Sequence, residues 1–70
     1  MPDSVYKVIE LVGTSSESWE KAAAAAVNLA SKSLRDLRVA EVTTLDMTIE
    51  DGKIKAYRAR VKLSFKYESE

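Results

Sequence analysis

Positively charged side chains recur at every second residue near the carboxyl end of the chain. They are Arg58, Arg60 and Lys62, and Ala59 and Val61 lie between them. In a β-strand this spacing places the cations on one face and the apolar residues on the other. The arginine fork matches the geometry of carboxylates and phosphates. The basic face therefore predicts either ion pairs, with acids of this chain or of a neighbouring subunit, or an anion site for a phosphate-bearing ligand. The acids of this chain considered for such pairs are Glu10 and Glu41.

A group of carboxylates near position 50 has the chemistry of a hard-cation site. They are Asp46, Glu50 and Asp51, with Glu41 further back in the chain. Calcium takes about six to eight oxygen ligands, and no stretch here has the loop spacing of a dedicated calcium site. A rotation axis between identical subunits would repeat a single carboxylate around it. The sequence predicts a metal site at these residues only if several copies of the chain build it.

Catalytic groups are scarce. The sequence contains no histidine and no cysteine, so it lacks the commonest general base and any thiolate nucleophile. It also lacks a phosphate-cradling glycine loop and the helical metalloprotease motif. Lysine plus arginine balance aspartate plus glutamate at 11 each, so no net field attracts nucleic acid or a membrane surface. We predict a binding protein that is not an enzyme, with no nucleic-acid and no membrane partner.

The basic strand belongs to a single predicted α+β domain, residues 1–70, with the order strand, helix, strand, strand. The first strand is predicted at residues 5–12, bounded by Gly13. A capping box formed by Thr14 and Glu17 predicts the start of the helix, with Ser15 and Ser16 as competing caps. The helix is predicted to end near Leu34. Its apolar stripe consists of Trp19, Ala23, Ala26, Val27, Ala30, Leu34 and Leu37.

The second and third strands are predicted at residues 38–50 and 54–67. Asp51 and Gly52 between them predict a type I′ hairpin turn. The apolar residues of the second strand change parity once, which predicts a bulge near Thr43 and Thr44. The third strand is predicted to lie in the middle, antiparallel to both neighbours. At ~3.3 Å per residue it would exceed 40 Å, so we expect other copies of the chain to cover what one helix cannot.

Four short segments, in their order and spacing, resemble the dodecin family. They are Val5-Tyr-Lys-Val-Ile-Glu-Leu-Val-Gly-Thr-Ser15, the alanine-rich helix that follows, Val39-Ala-Glu-Val42, and Tyr57-Arg-Ala-Arg-Val-Lys-Leu-Ser-Phe65. The similarity covers nearly the whole chain. It implies a β-α-β-β subunit, with a three-stranded antiparallel sheet wrapped around one helix, that assembles into a hollow homododecamer.

The resemblance also implies a ligand site, and this sequence departs from it. Flavin-binding members stack two isoalloxazine rings between symmetry-related tryptophans at each 2-fold contact, and a glutamine on the last strand bonds the ring. The tryptophan position corresponds to Val39, two residues before Glu41, and the glutamine position to Arg58. Valine has no π-face, and arginine is a permanently charged donor. The chain therefore resembles the dodecins that depart from the flavin site, among them a calcium-binding member.

These observations predict a cytoplasmic, non-enzymatic homododecameric shell for binding or storing a small molecule or an ion. The altered 2-fold site would use Val39, Glu41 and Arg58, with Arg60 and Lys62 as anion contacts. The cofactor is not determined by the sequence, since both flavin determinants are replaced and calcium is an alternative. Two other functions remain open: a dodecin that stores riboflavin or flavin mononucleotide, and a structural assembly with no ligand.

Overall fold

The predicted order of elements is confirmed. A computed structural model describes residues 3–67; the remaining ends of the predicted 1–70 domain, residues 1–2 and 68–70, lie outside the described residues. The elements are β1 (Tyr6–Ser15), α1 (Trp19–Ser31), β2 (Leu37–Glu50) and β3 (Lys53–Lys66). The sheet order is β1-β3-β2, and both strand pairs are antiparallel, as predicted.

The core lies between the helix and the apolar face of β3. Ala59, Val61 and Leu63, at alternate positions of β3, are buried as their spacing predicts. The helix meets them with three alanines at four-residue steps, which lets the two backbones approach closely. These alanines are Ala22, Ala26 and Ala30. The predicted stripe correctly contained Ala26 and Ala30 but missed Ala22, and Ala23, which it named instead, is only partly buried against this core.

Gly13 does not end β1, as the sequence suggested, but lies within the strand opposite Ala59. The helix crosses β1 at this point. A Cβ atom on Gly13 would overlap the carbonyl oxygen of Ala22 and lie 3.2 Å from the Cβ of Ala26. Glycine is therefore required here by the close approach of helix and strand rather than by a turn.

The predicted capping box is wrong, because β1 continues past it. Thr14 and Ser15 pair with β3, so neither residue caps the start of the helix. The Oγ of Ser15 accepts a hydrogen bond from the backbone N–H of Glu17 at 3.0 Å and shapes the turn. Ser18 caps the helix instead, and its Oγ accepts from the N–H of Lys21 at 3.0 Å.

The helix is shorter than predicted and ends at Ser31 rather than near Leu34. The N–H of Leu34 still bonds the carbonyl of Ala30, at 2.9 Å. Asp36 then takes a left-handed conformation, with φ of 60°, and reverses the chain into β2. Periodicity alone could not find this end, because Leu34 and Leu37 pack on the core from the connection and from β2.

The β2–β3 hairpin carries the predicted turn and bulge. Asp51 and Gly52 both have positive φ, 54° and 74°, as a type I′ turn needs. The register shifts between Val42 and Thr44, so the bulge near position 43 is confirmed. Two further shifts occur, one between Leu37 and Val39 and one between Thr48 and Ile49. The sequence did not predict these two.

The subunit is long and thin. Its principal extents are 54 × 20 × 14 Å and its radius of gyration is 14.7 Å, against about 11 Å for a compact chain of this length. Its accessible surface of 5467 Å² is about a quarter more than the ~4,400 Å² expected for a monomer of this mass. Within residues 3–67, no helix has both the length and the apolar character needed to cross a bilayer.

Candidate functional site

The face of the sheet turned away from the helix, called the open face here, carries the predicted site residues. Residues on β3 that alternate with the buried ones point to this side, and their partners on β1 and β2 share it. The residues that define the open face are Val8, Glu10, Val12, Thr14, Val39, Glu41, Thr44, Asp46, Arg58, Arg60, Lys62 and Ser64. The predicted basic strand and the predicted 2-fold residues therefore lie on one surface.

Arg58 is engaged by a carboxylate of its own chain. It lies directly opposite Asp46 in the hairpin. Its Nε donates to Oδ1 of Asp46 at 2.8 Å, and its Nη2 donates to Oδ2 at 3.1 Å. This is the bidentate geometry in which arginine and carboxylate bind most specifically. The side chains are 36% and 45% exposed, so the pair lies at the surface but fixes both groups.

The ion pair changes the acid–base behaviour of both partners. The hydrogen bonds from Arg58 hold the pKa of Asp46 below its usual value, and the positive charges of Arg58 and Arg60 act in the same direction. Partial desolvation raises the pKa of Asp46, with an effect that is smaller than that of the hydrogen bonds but larger than that of either charge. The hydrogen bond to Asp46 in turn raises the pKa of Arg58 above its ordinary value. Both groups are therefore charged at neutral pH.

The other two cations of the basic face also lie beside acids. Arg60 approaches Glu10 on β1, with Nη1 and Oε1 3.9 Å apart. Glu10 is one of the partners proposed from the sequence. Lys62 lies opposite Glu10 in the β1 register and opposite Glu41 in the β2 register. The open face thus carries alternating charges across its strands rather than a uniform positive field.

A tryptophan on the other side of the sheet holds the backbone of Asp46. The indole Nε1 of Trp19, the first residue of α1, donates to the carbonyl of Asp46 at 3.0 Å. The Trp19 ring meets Tyr57 edge to face, with centroids 5.1 Å apart. Sequence reasoning placed Trp19 on the core stripe and missed this anchor. The register of the hairpin was the signal needed to find it, since it places Met47 opposite Tyr57, next to Asp46.

Val39 and Arg58 do not meet within one subunit. Val39 pairs with Ser64 of β3, six residues from Arg58, which corresponds to about 20 Å along a strand. The side chain of Val39 is 60% exposed. A site that uses both residues therefore has to combine two copies of the chain, which is consistent with the 2-fold arrangement implied by the family resemblance.

The predicted metal ligands are separated in the subunit. Asp46 is paired with Arg58, Glu50 approaches Lys55 with Oε1 and Nζ 3.4 Å apart, and Asp51 forms the turn. In the part of the chain that the structure describes, no three acidic side chains come together as a metal site. A metal site at Asp46, Glu50 and Asp51 would therefore need ligands from more than one copy of the chain, and this site stays a prediction.

The helix leaves the apolar side of β2 uncovered. It packs on β1 and β3 and barely touches β2. Val42, Leu45 and Met47 therefore remain exposed on the side that faces the helix, and Leu45 is 51% exposed. Val42 and Leu45 border an apolar depression of about 500 Å³ together with Trp19, Glu20 and Ala23. Contiguous exposed apolar surface of this kind is typical of a site that contacts another surface.

Comparison with known sequences identifies relatives along almost the whole chain. The sequence model of the dodecin family matches residues 5–68. A calcium dodecin from Mycobacterium tuberculosis is 53% identical over 64 residues, which cover 90% of this chain and 89% of the relative. A dodecin from Thermus thermophilus is 42% identical over 64 residues, covering 91% of this chain and 93% of the relative.

Solved structures show the same fold. Dodecin from Streptomyces coelicolor superposes with a TM-score of 0.92 at 38% identity, and both chains are covered completely. The calcium dodecin from Mycobacterium tuberculosis, described as calcium-chelating with a novel calcium-binding site, superposes with a TM-score of 0.82 at 52% identity over 93% of each chain. The β-α-β-β architecture derived above is therefore that of these proteins.

Proposed function

The chain belongs to the dodecin family, and from this premise we propose that twelve copies assemble into a shell that binds calcium rather than flavin. The shell holds its ligand without chemical turnover. The calcium-binding relative at 53% identity supports the choice of ion. The observation that carries the proposal is the state of Arg58, which is clamped to Asp46 at the position where flavin-binding relatives are expected to have glutamine.

Assembly is supported by the surface of the subunit. Apolar side chains are exposed on both sides of the sheet, among them Val42 and Leu45 near the helix and Val8, Val12 and Val39 on the open face. Within residues 3–67, the hydrophobic core contains six buried residues, a small number for a domain of this size, which usually needs added stabilisation. Contacts between copies would cover this surface and stabilise the long hairpin.

Loss of flavin binding is supported by two side chains. Val39 offers no aromatic face, so the stacking contribution of ~0.5–1.5 kcal/mol per aromatic pair is absent. Arg58 has no acceptor atom, and its Nε and Nη2 already bind Asp46. An isoalloxazine ring at this position would lose both its stacking partner and the neutral donor–acceptor contact of a glutamine.

Calcium binding requires oxygens from several copies. The described part of one chain brings no three acidic ligands together, whereas calcium takes about six to eight oxygens. Glu41, Glu50 and Asp51 are exposed and can be repeated around an assembly axis. We therefore place the calcium site between subunits rather than within one.

Light scattering and calorimetry test the proposal. The desalted protein should elute as a particle of about 94 kDa, twelve times the 7.8 kDa chain, and should release or absorb heat on calcium titration. Riboflavin and flavin mononucleotide should keep their fluorescence when added to the protein. An 8 kDa monomer would refute the shell. The absence of heat at millimolar calcium would refute calcium binding, even if the shell forms. Sub-micromolar flavin binding with quenching would refute the loss of the flavin site.

A further inference from the structure

We propose that Asp46 is a specificity-determining residue that occupies the Arg58 fork and so closes the open face to phosphate-bearing ligands. The inference rests on the proposed function, because it concerns the ligand site of that shell. The sequence left open whether the basic strand binds an anion or forms ion pairs. The structure favours ion pairs, since Arg58, the arginine at the predicted ligand position, already holds a carboxylate of its own chain.

The geometry shows what a phosphate would have to displace. The Nε and Nη2 atoms of Arg58 form the edge that binds two oxygens at once, and both are bonded to Asp46 at 2.8 and 3.1 Å. A phosphate that used this edge would have to break both bonds and come close to the negative charge of Asp46. The guanidinium keeps free N–H groups on its other edge, but its charge is balanced by the carboxylate.

Asp46 is held in place from both sides of the sheet. Trp19 binds its backbone carbonyl from the helix side at 3.0 Å, while the ladder places it opposite Arg58. The neighbouring Arg60 also has a negative charge beside it, since its Nη1 lies 3.9 Å from Oε1 of Glu10. Replacing Asp46 alone would therefore expose one guanidinium at a defined position, which is the requirement for creating an anion site.

The turn before the helix provides a matched control in a second acid–base pair. Glu17 and Lys21 form an ion pair, and their side chains are 64% and 65% exposed. Glu17→Gln removes the same unit of negative charge as Asp46→Asn, but it frees a lysine ammonium rather than an arginine fork. Any effect of net charge on phosphate binding appears in both variants, whereas an effect of the fork appears only in Asp46→Asn.

The experiment is a titration of the assembled protein with inorganic phosphate, followed by calorimetry at pH 7.5 in low salt. The wild type and Glu17→Gln should bind phosphate weakly and equally. Asp46→Asn should bind at least ten times more tightly. The double variant Asp46→Asn with Arg58→Gln should return to the wild-type affinity, because the freed fork is removed again.

Two outcomes would overturn the inference: equal phosphate affinity in wild type and Asp46→Asn, or tightening that the double variant retains. If Asp46→Asn fails to fold, the wild type is compared with Arg58→Gln alone. Equal weak binding supports a closed fork, and a tenfold loss in Arg58→Gln overturns it. Light scattering and calcium titration of the wild type test the proposed function separately, because the Asp46–Arg58 pair lies within one chain and exists without the shell.

Discussion

Arg58 illustrates how the environment of a side chain decides its role. Considered alone, an arginine on an exposed strand face is a candidate anion ligand. In the folded chain its fork binds Asp46, and its neighbour Arg60 approaches Glu10. The acid predicted as a metal ligand and the base predicted as a ligand contact are thus partners of each other. This pairing explains why neither residue acts as an isolated charge on the surface.

The pair makes a testable prediction for pH dependence. The folded pKa of Asp46 lies below its ordinary value of 3.8, chiefly because of the hydrogen bonds from Arg58. The pair therefore stabilises the fold fully above pH 3.8 and loses this contribution as the pH falls through the folded pKa. A carbon-13 carboxyl titration should give a midpoint below 3.8 for Asp46 in the wild type.

Two variants separate the causes of this shift. Arg58→Gln should raise the Asp46 midpoint, since it removes the hydrogen bonds and the nearest charge. Arg60→Gln should raise it less, because Arg60 acts only through its charge at longer range. Equal midpoints in the two variants would contradict the assignment of the shift to the Arg58 fork.

At the scale of elements, the position of the helix depends on small side chains. Gly13 on β1 and the alanines of α1 allow a separation that no larger residue would permit. The helix begins only after β1 has finished pairing at Ser15, and Ser18 supplies the cap. Trp19 then ties the first turn to the backbone of β2 through Asp46. Close packing on β1 and one hydrogen bond to β2 together set where the helix lies.

Gly13→Ala tests the close approach. The added methyl group would overlap the Ala22 carbonyl oxygen, and a backbone group cannot move aside cheaply, so we expect a loss of about 3 kcal/mol in the free energy of unfolding. The control is Gly52→Ala, where nothing lies within 4 Å and only the positive φ is unfavourable; its cost should be about 1 kcal/mol. Urea unfolding at one fixed subunit concentration measures both. A smaller loss for Gly13→Ala than for Gly52→Ala would contradict the packing described here.

At the scale of the whole molecule, the chain exposes about a quarter more surface than a compact monomer of its mass. The helix covers β1 and β3, and the far strand of the sheet has no cover of its own. An extent of 54 Å for a chain of 70 residues reflects the long β2–β3 hairpin. The elongated shape fits the proposed assembly, in which other copies would cover the hairpin.

Leu45→Asp tests whether the uncovered side of β2 is a contact between copies. A carboxylate buried in such a contact would be costly without a partner, so the variant should shift the particle towards smaller species in light scattering while the subunit stays folded by circular dichroism. Ala24→Asp is the control, because Ala24 is exposed on the helix face opposite Ala22 and Ala26. An intact dodecamer for Leu45→Asp would show that this surface is not a contact.

The sequence alone determined the features that depend on local patterns. Alternation along β3 identified its buried face, the Asp51–Gly52 pair identified the turn, and the parity change near position 43 identified one bulge. The central position of β3 followed from the hairpin and the handedness of the crossover. These features need only the periods of side-chain direction and the conformational preferences of a few residues.

Only the tertiary structure decided which side chains meet across the hairpin. An unbroken two-residue turn would place Asp46 opposite Tyr57, but the register shift between Thr48 and Ile49 places it opposite Arg58. No pattern in the sequence marks this shift, and a one-residue change of register turns every later side chain to the other face. The helix start and the Trp19 anchor likewise depend on where β1 stops pairing. The candidate residues were thus visible in the sequence, whereas their pairing depended on the register of the folded sheet.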